Sequence, residues 1–342
     1  MQSPLPMHWS ELPREALLDR RIGDLGVTIE DSPLAPRLAA LDKELEARGL
    51  LFRPYTWLST EWFAPDGATG FAIPFFLAHP RLVRLERSQM LEVEGGSAAE
   101  CMKLLRHETA HAIDNAYGLR RRRRFREIFG RPGLPYRASY SPDPTSRDYV
   151  LHLDYWYSQS HPLEDFAETF AVWLGPGSRW RKRYAGWPAL EKLLYVDELM
   201  DEIRDAPPKL RTRRREEPAH GVQRTLRAYY AQKKAHYADE ATPAFDGQLE
   251  RAFALPEDAA PRAPRLAPFL REHRRDLVAR VARSTGQHRY LLDHVVREMI
   301  ARAKSRELRL SSSRESSLLD AAVVLTSLTG HFLYGGSPRY HR

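Results

Sequence analysis

Apolar residues recur every three or four positions in several long stretches of this chain, which is the spacing of one face of an α-helix. The predicted helices cover residues 34–49, 98–118, 161–174, 180–206, 221–237, 267–284, 290–305 and 316–333. Proline and glycine lie at several of their ends, as at Gly49 and Pro162, where such residues stop or start a helix. The hydrophobic pattern therefore predicts a mostly helical protein.

Strand-forming residues are concentrated between the first two predicted helices. Residues 51–59 are rich in strand formers, 70–77 are apolar, and 81–85 (Arg-Leu-Val-Arg-Leu) form a second strand candidate. These segments predict a small N-terminal sheet. The expected fold class is α+β, with this sheet and helices in a first domain, followed by a mainly α-helical C-terminal region.

The helix predicted over 98–118 contains the sequence His107-Glu108-Thr109-Ala110-His111. Residues four apart share a helix face, so His107 and His111 can present two imidazole nitrogens to one metal ion. Glu108 is offset by about 100° around the helix, where its carboxylate can reach a water on that metal. This is the arrangement of a zinc hydrolase, although two histidines in a helix can also be ordinary surface residues.

A second pair of chemically suggestive residues lies on the helix predicted over 161–174. Glu164 and Glu168 are four residues apart on a helix whose other face carries Phe166, Phe170 and Trp173. Carboxylates on such an apolar helix are costly to bury unless they are paired or bind a metal. The alternative is an exposed acidic stripe on a helix that packs against the core.

The start of the helix predicted over 161–174 and the four residues before it read Tyr157-Ser158-Gln159-Ser160-His161-Pro162-Leu163-Glu164-Asp165-Phe166-Ala167-Glu168-Thr169. This segment resembles the Tyr-Ala-x-x-His-Pro-x-Glu-Asp-x-Ala-Glu-Thr segment of bacterial zinc-binding metallopeptidases. Those proteins belong to the zincin superfamily, in the branch with a glutamate as third ligand. The same segment of this chain is also similar to the Glu-x-Phe-Ala-Glu-x-Phe segment of anthrax lethal factor. The resemblance covers roughly residues 15–200.

The resemblance implies a role for each matching residue. His107, His111 and Glu164 would bind one Zn²⁺, Glu168 would hydrogen-bond a ligand histidine, and Tyr157, seven positions before Glu164, would face the reacting carbonyl. It also implies an edge strand above the metal that pairs with an extended peptide, which we place within 62–73. The metzincin pattern is excluded because Asp114 and Tyr117 stand where it needs glycine and histidine.

The third ligand is less certain from spacing alone than the first two. The interval from His111 to Glu164 is longer than in compact zincins, and it contains a loop over 130–148 that is a candidate wall or lid of the site. Several other residues compete with Glu164 as the third ligand: His152, Asp154, His161 and Asp165. His79, which precedes a proline, is more typical of a turn or core residue than of a ligand.

Charge is distributed unevenly along the chain. From Asp205 onward there are 26 Lys and Arg residues against 16 Asp and Glu, whereas the first 204 residues hold 27 against 29. This shift, with Pro207 and Pro208, predicts a domain boundary between 1–205, the zincin-like metallopeptidase domain, and 206–342, a basic helical domain of unknown role. The five arginines over 120–124 are interpreted as a solvated helix end or as a clamp for an acidic substrate.

These features together predict a zinc-dependent metallopeptidase with one Zn²⁺ per chain and a peptide or protein as substrate. Manganese and iron accept the same ligand types. Two alternative functions are a nucleic-acid-associated protease and a zinc-binding interaction scaffold. Both would use the basic C-terminal helices, which also contain Tyr229, Tyr230 and Tyr237.

The single cysteine, Cys101, and the lack of an apolar signal or membrane segment predict a cytoplasmic protein without a membrane partner.

Overall fold

The computed structural model describes residues 8–137, 140–239 and 246–335, and the side chains of all of these except 237–239 and 330–335. This part of the chain is mostly helical and contains one small sheet, which is compatible with the predicted α+β class. In chain order the elements are α1 (Arg14–Leu18), α2 (Leu34–Ala47), β1 (Tyr55–Ser59), β2 (Gly70–Pro74), α3 (Pro80–Met90), α4 (Ala98–Tyr117), α5 (Arg123–Phe129), α6 (Pro162–Leu174), α7 (Trp180–Arg183), α8 (Ala189–Ile203), α9 (Leu226–Asp239), α10 (Asp246–Ala252), α11 (Leu266–Thr285), α12 (Arg289–Ser305) and α13 (Arg314–Gly335).

The chain separates into two compact units. Among the described residues, the first comprises 8–87, 93–137 and 140–228, and the second comprises 88–92, 229–239 and 246–335. The segment 206–228, which composition assigns to the C-terminal domain, thus groups with the first unit. Its backbone is tied there at both ends, since Leu210 N donates to Ala116 O at 3.0 Å and Leu226 N to Arg20 O at 2.9 Å.

The sheet in the described residues consists of β1 and β2, which run parallel with Tyr55 opposite Gly70. A side chain at position 70 could not be accommodated, because a Cβ there would lie 2.1 Å from the carbonyl oxygen of Tyr55. Within the range 62–73 predicted for an edge strand, Phe63 forms an isolated antiparallel bridge with Ala72 of β2. Pairing of this edge with a substrate stays a prediction.

The strand predicted over 81–85 is wrong, because these residues lie in helix α3. Leu82 and Leu85 are buried three residues apart, which is a helical rather than an alternating pattern. His79 begins the helix, since its Nδ1 accepts a hydrogen bond from Arg81 N at 3.1 Å. A local N-terminal cap thus overrides the strand propensity of the sequence, and His79 has the turn role expected of it.

Helix α4, which carries the His-Glu-x-x-His sequence, has strong signals at both ends. Ser97 and Glu100 form a reciprocal capping box at its start, and Gly118 ends it in the left-handed conformation with φ +66°. Its buried face packs against α6, whose Phe166 and Phe170 join an aromatic cluster with residues of α5. The two predicted motif helices are therefore confirmed and lie side by side.

The remaining helix predictions hold with different boundaries. The helix predicted over 180–206 is two helices, α7 and α8, separated by a turn that contains Gly186 and Pro188. After residue 221, α9, α11, α12 and α13 match the four predicted helices, and α10 was not predicted. Its short sequence, Asp246–Ala252, has few apolar positions and ends after seven residues.

The second unit has its own apolar core, built from α10 to α13. Phe253, Phe269, Leu292 and Met299 are among its buried members. Tyr229 and Tyr230, which accompany the basic residues in sequence, are themselves buried, and the side chain of Tyr237 lies outside the described residues. None of the helices in the described ranges combines the length and the apolar run that a membrane span requires.

Candidate metal centre

Three ligand atoms from α4 and α6 converge on one point. Nε2 of His107 lies 3.0 Å from Oε2 of Glu164, Nε2 of His111 lies 3.2 Å from the same oxygen, and the two nitrogens are 3.2 Å apart. In a tetrahedral site with metal–ligand bonds of about 2.0–2.1 Å, neighbouring ligand atoms are about 3.3 Å apart. His107, His111 and Glu164 therefore form a buried group that could hold a metal ion.

Glu168 fixes the tautomer of His107. Its Oε1 accepts a hydrogen bond from Nδ1 of His107 at 2.8 Å, and its Oε2 accepts one from Leu153 N at 2.8 Å. The carboxylate is almost completely buried, so its position is set by these two donors. A proton on Nδ1 leaves the Nε2 of a neutral His107 as a lone pair that points at Glu164 and His111.

The three facing ligand atoms of His107, His111 and Glu164 repel one another unless a proton or a metal cation lies between them. A nitrogen lone pair of His107, a second imidazole nitrogen of His111 and a carboxylate oxygen of Glu164 face each other at hydrogen-bond distance in a buried site. One proton can bridge only two of them, whereas a metal cation would accept all three lone pairs. The donor set, two imidazole nitrogens and one carboxylate oxygen, thus fits a divalent cation such as Zn²⁺.

Tyr136 contacts the second oxygen of Glu164, a contact that sequence reasoning missed. Its hydroxyl donates to Oε1 at 2.7 Å, and its ring stacks on that of His161 with centroids 3.8 Å apart. This hydrogen bond leaves Oε2 as the oxygen that faces the histidines. Tyr136 lies in the loop predicted over 130–148, so this loop does form part of the wall of the site, although residues 138 and 139 lie outside the described ranges.

The groups of the site lower the pKa of Glu164 and raise the pKa of His107. Burial alone would raise the pKa of the Glu164 carboxyl, but His111 and His107 hold it well below its usual value. Burial would likewise lower the pKa of His107, but hydrogen bonds to Glu164 and Glu168 raise it well above its usual value. A cation bound at Nε2 would take the place of that proton, as metal binding to histidine generally does.

Glu108 lies beside this group and is available for proton transfer. It lines the same cleft as the three candidate ligands, and among the described residues no hydrogen bond holds its carboxylate. Burial is the largest influence on its pKa and raises it, while the neighbouring histidines lower it in part. A buried carboxylate with a raised pKa that faces a cleft matches the requirements of a general base.

Tyr157 lies beside His107, directly after two residues with a left-handed backbone conformation. Its ring lies 5.7 Å from the ring of His107, and burial raises the pKa of its hydroxyl well above the usual value, so that it stays protonated. The two residues before it, Tyr155 and Trp156, have left-handed φ values of 60° and 52°. Such conformations cost about 1–3 kcal/mol each in residues other than glycine and are concentrated at functional sites.

The four competing third ligands have other partners or lie outside the metal group. His161 caps α6 through Nδ1 and bonds Leu134 O through Nε2, His152 bonds Lys103 O, and Asp165 pairs with Lys192 at 2.6 Å. Asp154 is the first residue of a short 3-10 helix and is not a member of the group. Of the five candidates, Glu164 is the one whose ligand atom joins His107 and His111.

The cleft around the candidate metal group encloses about 410 Å³. Its walls come from 62–66, from Tyr136 and from the segment that contains Glu216 and Glu217. Arg120, the first of the five arginines, also lines it, but its guanidinium is neutralised by the buried Asp114 and by Asp66. The interpretation of this arginine as an open clamp for an acidic substrate therefore has no support here.

The rest of the arginine run pairs mainly with neighbouring helices. Arg122 and Arg124 form ion pairs with Glu202 and Glu198 of α8, and Arg123 pairs with Glu127 within α5. The exposure of these side chains matches the interpretation of the run as a solvated face, and the ion pairs with glutamates were not predicted. Exposed pairs of this kind contribute little to stability individually.

Replacing Glu168 with alanine tests its role toward His107. We expect affinity for Zn²⁺ to fall by about 10–100-fold, because the Nδ1 proton loses its acceptor and the ring loses its fixed orientation. Equilibrium titration with a competing chelator measures the change. Glu191→Ala, which removes a glutamate that is exposed on α8, is the matched control and should bind as the parent does; equal affinity in all three proteins would contradict the role.

No protein-family model, curated protein or solved structure matches this chain. The resemblance to zincin metallopeptidases, and with it the assignment of activity, therefore stays a prediction that rests on the residues and their geometry.

Proposed function

We propose that this chain is a zinc-dependent metallopeptidase, which hydrolyses peptide bonds with Glu108 as general base. The observation that carries the proposal is the convergence of His107, His111 and Glu164 within 3.0–3.2 Å of one another, next to a buried Glu108. A purely structural metal site has four protein ligands, whereas three ligands leave a position for water. The zincin resemblance supports the same conclusion.

His107, His111 and Glu164 would hold the zinc ion through Nε2, Nε2 and Oε2. When bound, zinc supplies Lewis acidity, which lowers the pKa of a water molecule toward about 7 and polarises a carbonyl. The other contributions come from the chain itself. Glu168 holds His107 in the tautomer that presents Nε2, and Tyr136 holds the other oxygen of Glu164.

Glu108 would take the proton of the attacking water and later deliver it to the leaving amine. Its raised pKa suits both steps, since a carboxyl that binds a proton more tightly is a better base and can still release it. Tyr157, which remains protonated, would donate a hydrogen bond to the oxygen that becomes negative when the carbonyl is attacked. The walls of the cleft would hold the peptide on either side of these groups.

Metal removal tests the proposal directly. A peptide mixture of diverse sequence is incubated with the zinc-loaded protein, and new termini are identified by mass spectrometry. We expect cleavage that stops when zinc is removed with a chelator and returns when zinc is added back. Cleavage that persists in the metal-free protein, or no cleavage of any peptide by a protein that holds one zinc, would contradict the proposed activity.

A further inference from the structure

A second concave region of the first unit lies outside the metal cleft. It is a groove of about 590 Å³ between the segments 51–55 and 205–213, with Thr69 and Tyr117 also in its lining. Phe52 and Tyr117 pack edge to face in its floor, with ring centroids 6.0 Å apart. The volume falls within the range of about 300–1,000 Å³ that is usual for ligand sites, and none of the proposed catalytic groups lies in it.

The rims of this groove expose apolar side chains. Leu51 is 72% exposed and Leu210 is 37% exposed, and Pro207 and Pro208 lie in the same wall. Large apolar residues that are exposed beside a concave surface are typical of a binding site, because their burial requires a partner.

Hydrogen bonds fix the backbone of the segment 206–214 against the rest of the first unit. Ala206 O accepts from the Tyr117 hydroxyl at 3.0 Å, and Leu210 N donates to Ala116 O at 3.0 Å. Thr212 O accepts from both the backbone N and the hydroxyl of Thr69, at 3.3 and 2.9 Å. This wall of the groove is therefore held in place before any ligand arrives, although it has no regular secondary structure.

The anchored residues alternate with two arginines that line the groove. Arg211 and Arg213 lie on either side of Thr212, and neither forms an ion pair within the described part of the chain. The third arginine, Arg53, is already engaged, since it donates to Leu50 O and Phe52 O and lies 3.4 Å from Asp42. Two guanidinium groups thus line the groove without an ion pair to any described residue, although the carboxylate of Asp205 also belongs to the lining.

We propose that this groove binds an extended peptide segment in which two acidic side chains alternate with apolar ones. Arg211 and Arg213 are two residues apart in sequence, and acidic residues at alternate positions of an extended peptide, about 6.6 Å apart, have the same sequence spacing. Their carboxylates would form charge-assisted hydrogen bonds with the guanidinium groups. Apolar side chains of the peptide would cover Leu51, Leu210 and the two prolines.

The apolar rims favour a peptide over a nucleic acid as the occupant. A nucleic acid is held mainly by a row of cations along its backbone, whereas the groove offers three arginines, one of them paired with Asp42, between apolar surfaces. The proposal does not depend on catalysis, because it concerns binding at a surface other than the metal cleft.

The test uses the 342-residue chain with the Glu108→Gln substitution, so that a peptide is not cut during the measurement. Binding of fluorescein-labelled Leu-Glu-Val-Glu-Leu is followed by anisotropy and compared with Leu-Gln-Val-Gln-Leu. We expect the acidic peptide to bind about tenfold more tightly or better, and to lose that advantage in the Arg211→Gln/Arg213→Gln double variant. Leu51→Ser should weaken both peptides, because it removes an apolar contact that they share.

The matched control is Arg14→Gln/Arg20→Gln, which removes the same charge at two exposed arginines that do not line the groove. This control should bind the acidic peptide as the parent does. Equal affinity for the two peptides, or an equal loss in both double variants, would overturn the proposal. So would tighter binding of an oligothymidylate that depends on Arg211 and Arg213, since it would assign the groove to nucleic acid.

Discussion

Replacement of Glu108 by glutamine is expected to reduce peptide hydrolysis by about 10²–10⁴-fold, the usual contribution of a general acid–base group. Glutamine has nearly the same shape as glutamate, so it should occupy the same place in the cleft. It cannot accept a proton from water at neutral pH, which removes the step assigned to Glu108. Because Glu108 is not one of the three converging residues, zinc content should remain at the parental value.

Initial rates on a cleaved peptide, measured with metal content in the same preparations, check this expectation. Glu127→Gln is a suitable control, since Glu127 is an exposed residue of α5 that pairs with Arg123. The control should retain the parental rate. If Glu108→Gln keeps full activity, Glu108 is not the base; if it loses both activity and zinc, its role is in metal binding rather than in proton transfer.

Replacement of Glu164 by alanine is expected to abolish tight zinc binding. The change removes the oxygen that lies 3.0 Å from His107 Nε2 and 3.2 Å from His111 Nε2, and leaves two ligands in place of three. The loss of affinity should exceed the about 10–100-fold that follows removal of a hydrogen-bonding partner of a ligand. Alanine is compatible with a helix interior, so α6 should persist.

The His161→Ala variant tests whether His161, rather than Glu164, is the third zinc ligand. His161 caps α6 and stacks on Tyr136, so its removal is expected to cost about 1 kcal/mol of stability while zinc is retained. Zinc titration and thermal unfolding of both variants give the comparison. Zinc retained in Glu164→Ala but lost in His161→Ala would transfer the third-ligand role to His161.

The candidate site could be predicted from sequence because helical spacing determines which side chains share a face. His107 and His111 are one turn apart on α4, as are Glu164 and Glu168 on α6. The packing of these two apolar helices against each other then brings the pairs together. The apolar spacing over 98–118 predicted the first helix, and the structure adds the capping box at Ser97 and the left-handed Gly118 at its ends.

The rest of the site could not be predicted because it depends on contacts distant in sequence. Tyr136 reaches Glu164 from a loop with no periodic pattern, and Glu216 and Glu217 reach the cleft from a segment that composition assigned to another domain. The strand wrongly predicted over 81–85 has a different cause. There the β-forming residues were outweighed by the cap at His79 and the helical spacing of buried leucines.

We expect His107, His111 and Glu164 to hold one metal ion. The decisive measurement is the metal content of the 342-residue chain, purified without chelators and then dialysed against a small excess of zinc. We expect one zinc per chain in the parent and in His152→Ala, whose histidine bonds Lys103 O instead of joining the group. We expect none in His111→Ala. A parent protein that binds no zinc, or a His111→Ala protein that still binds one, would contradict it.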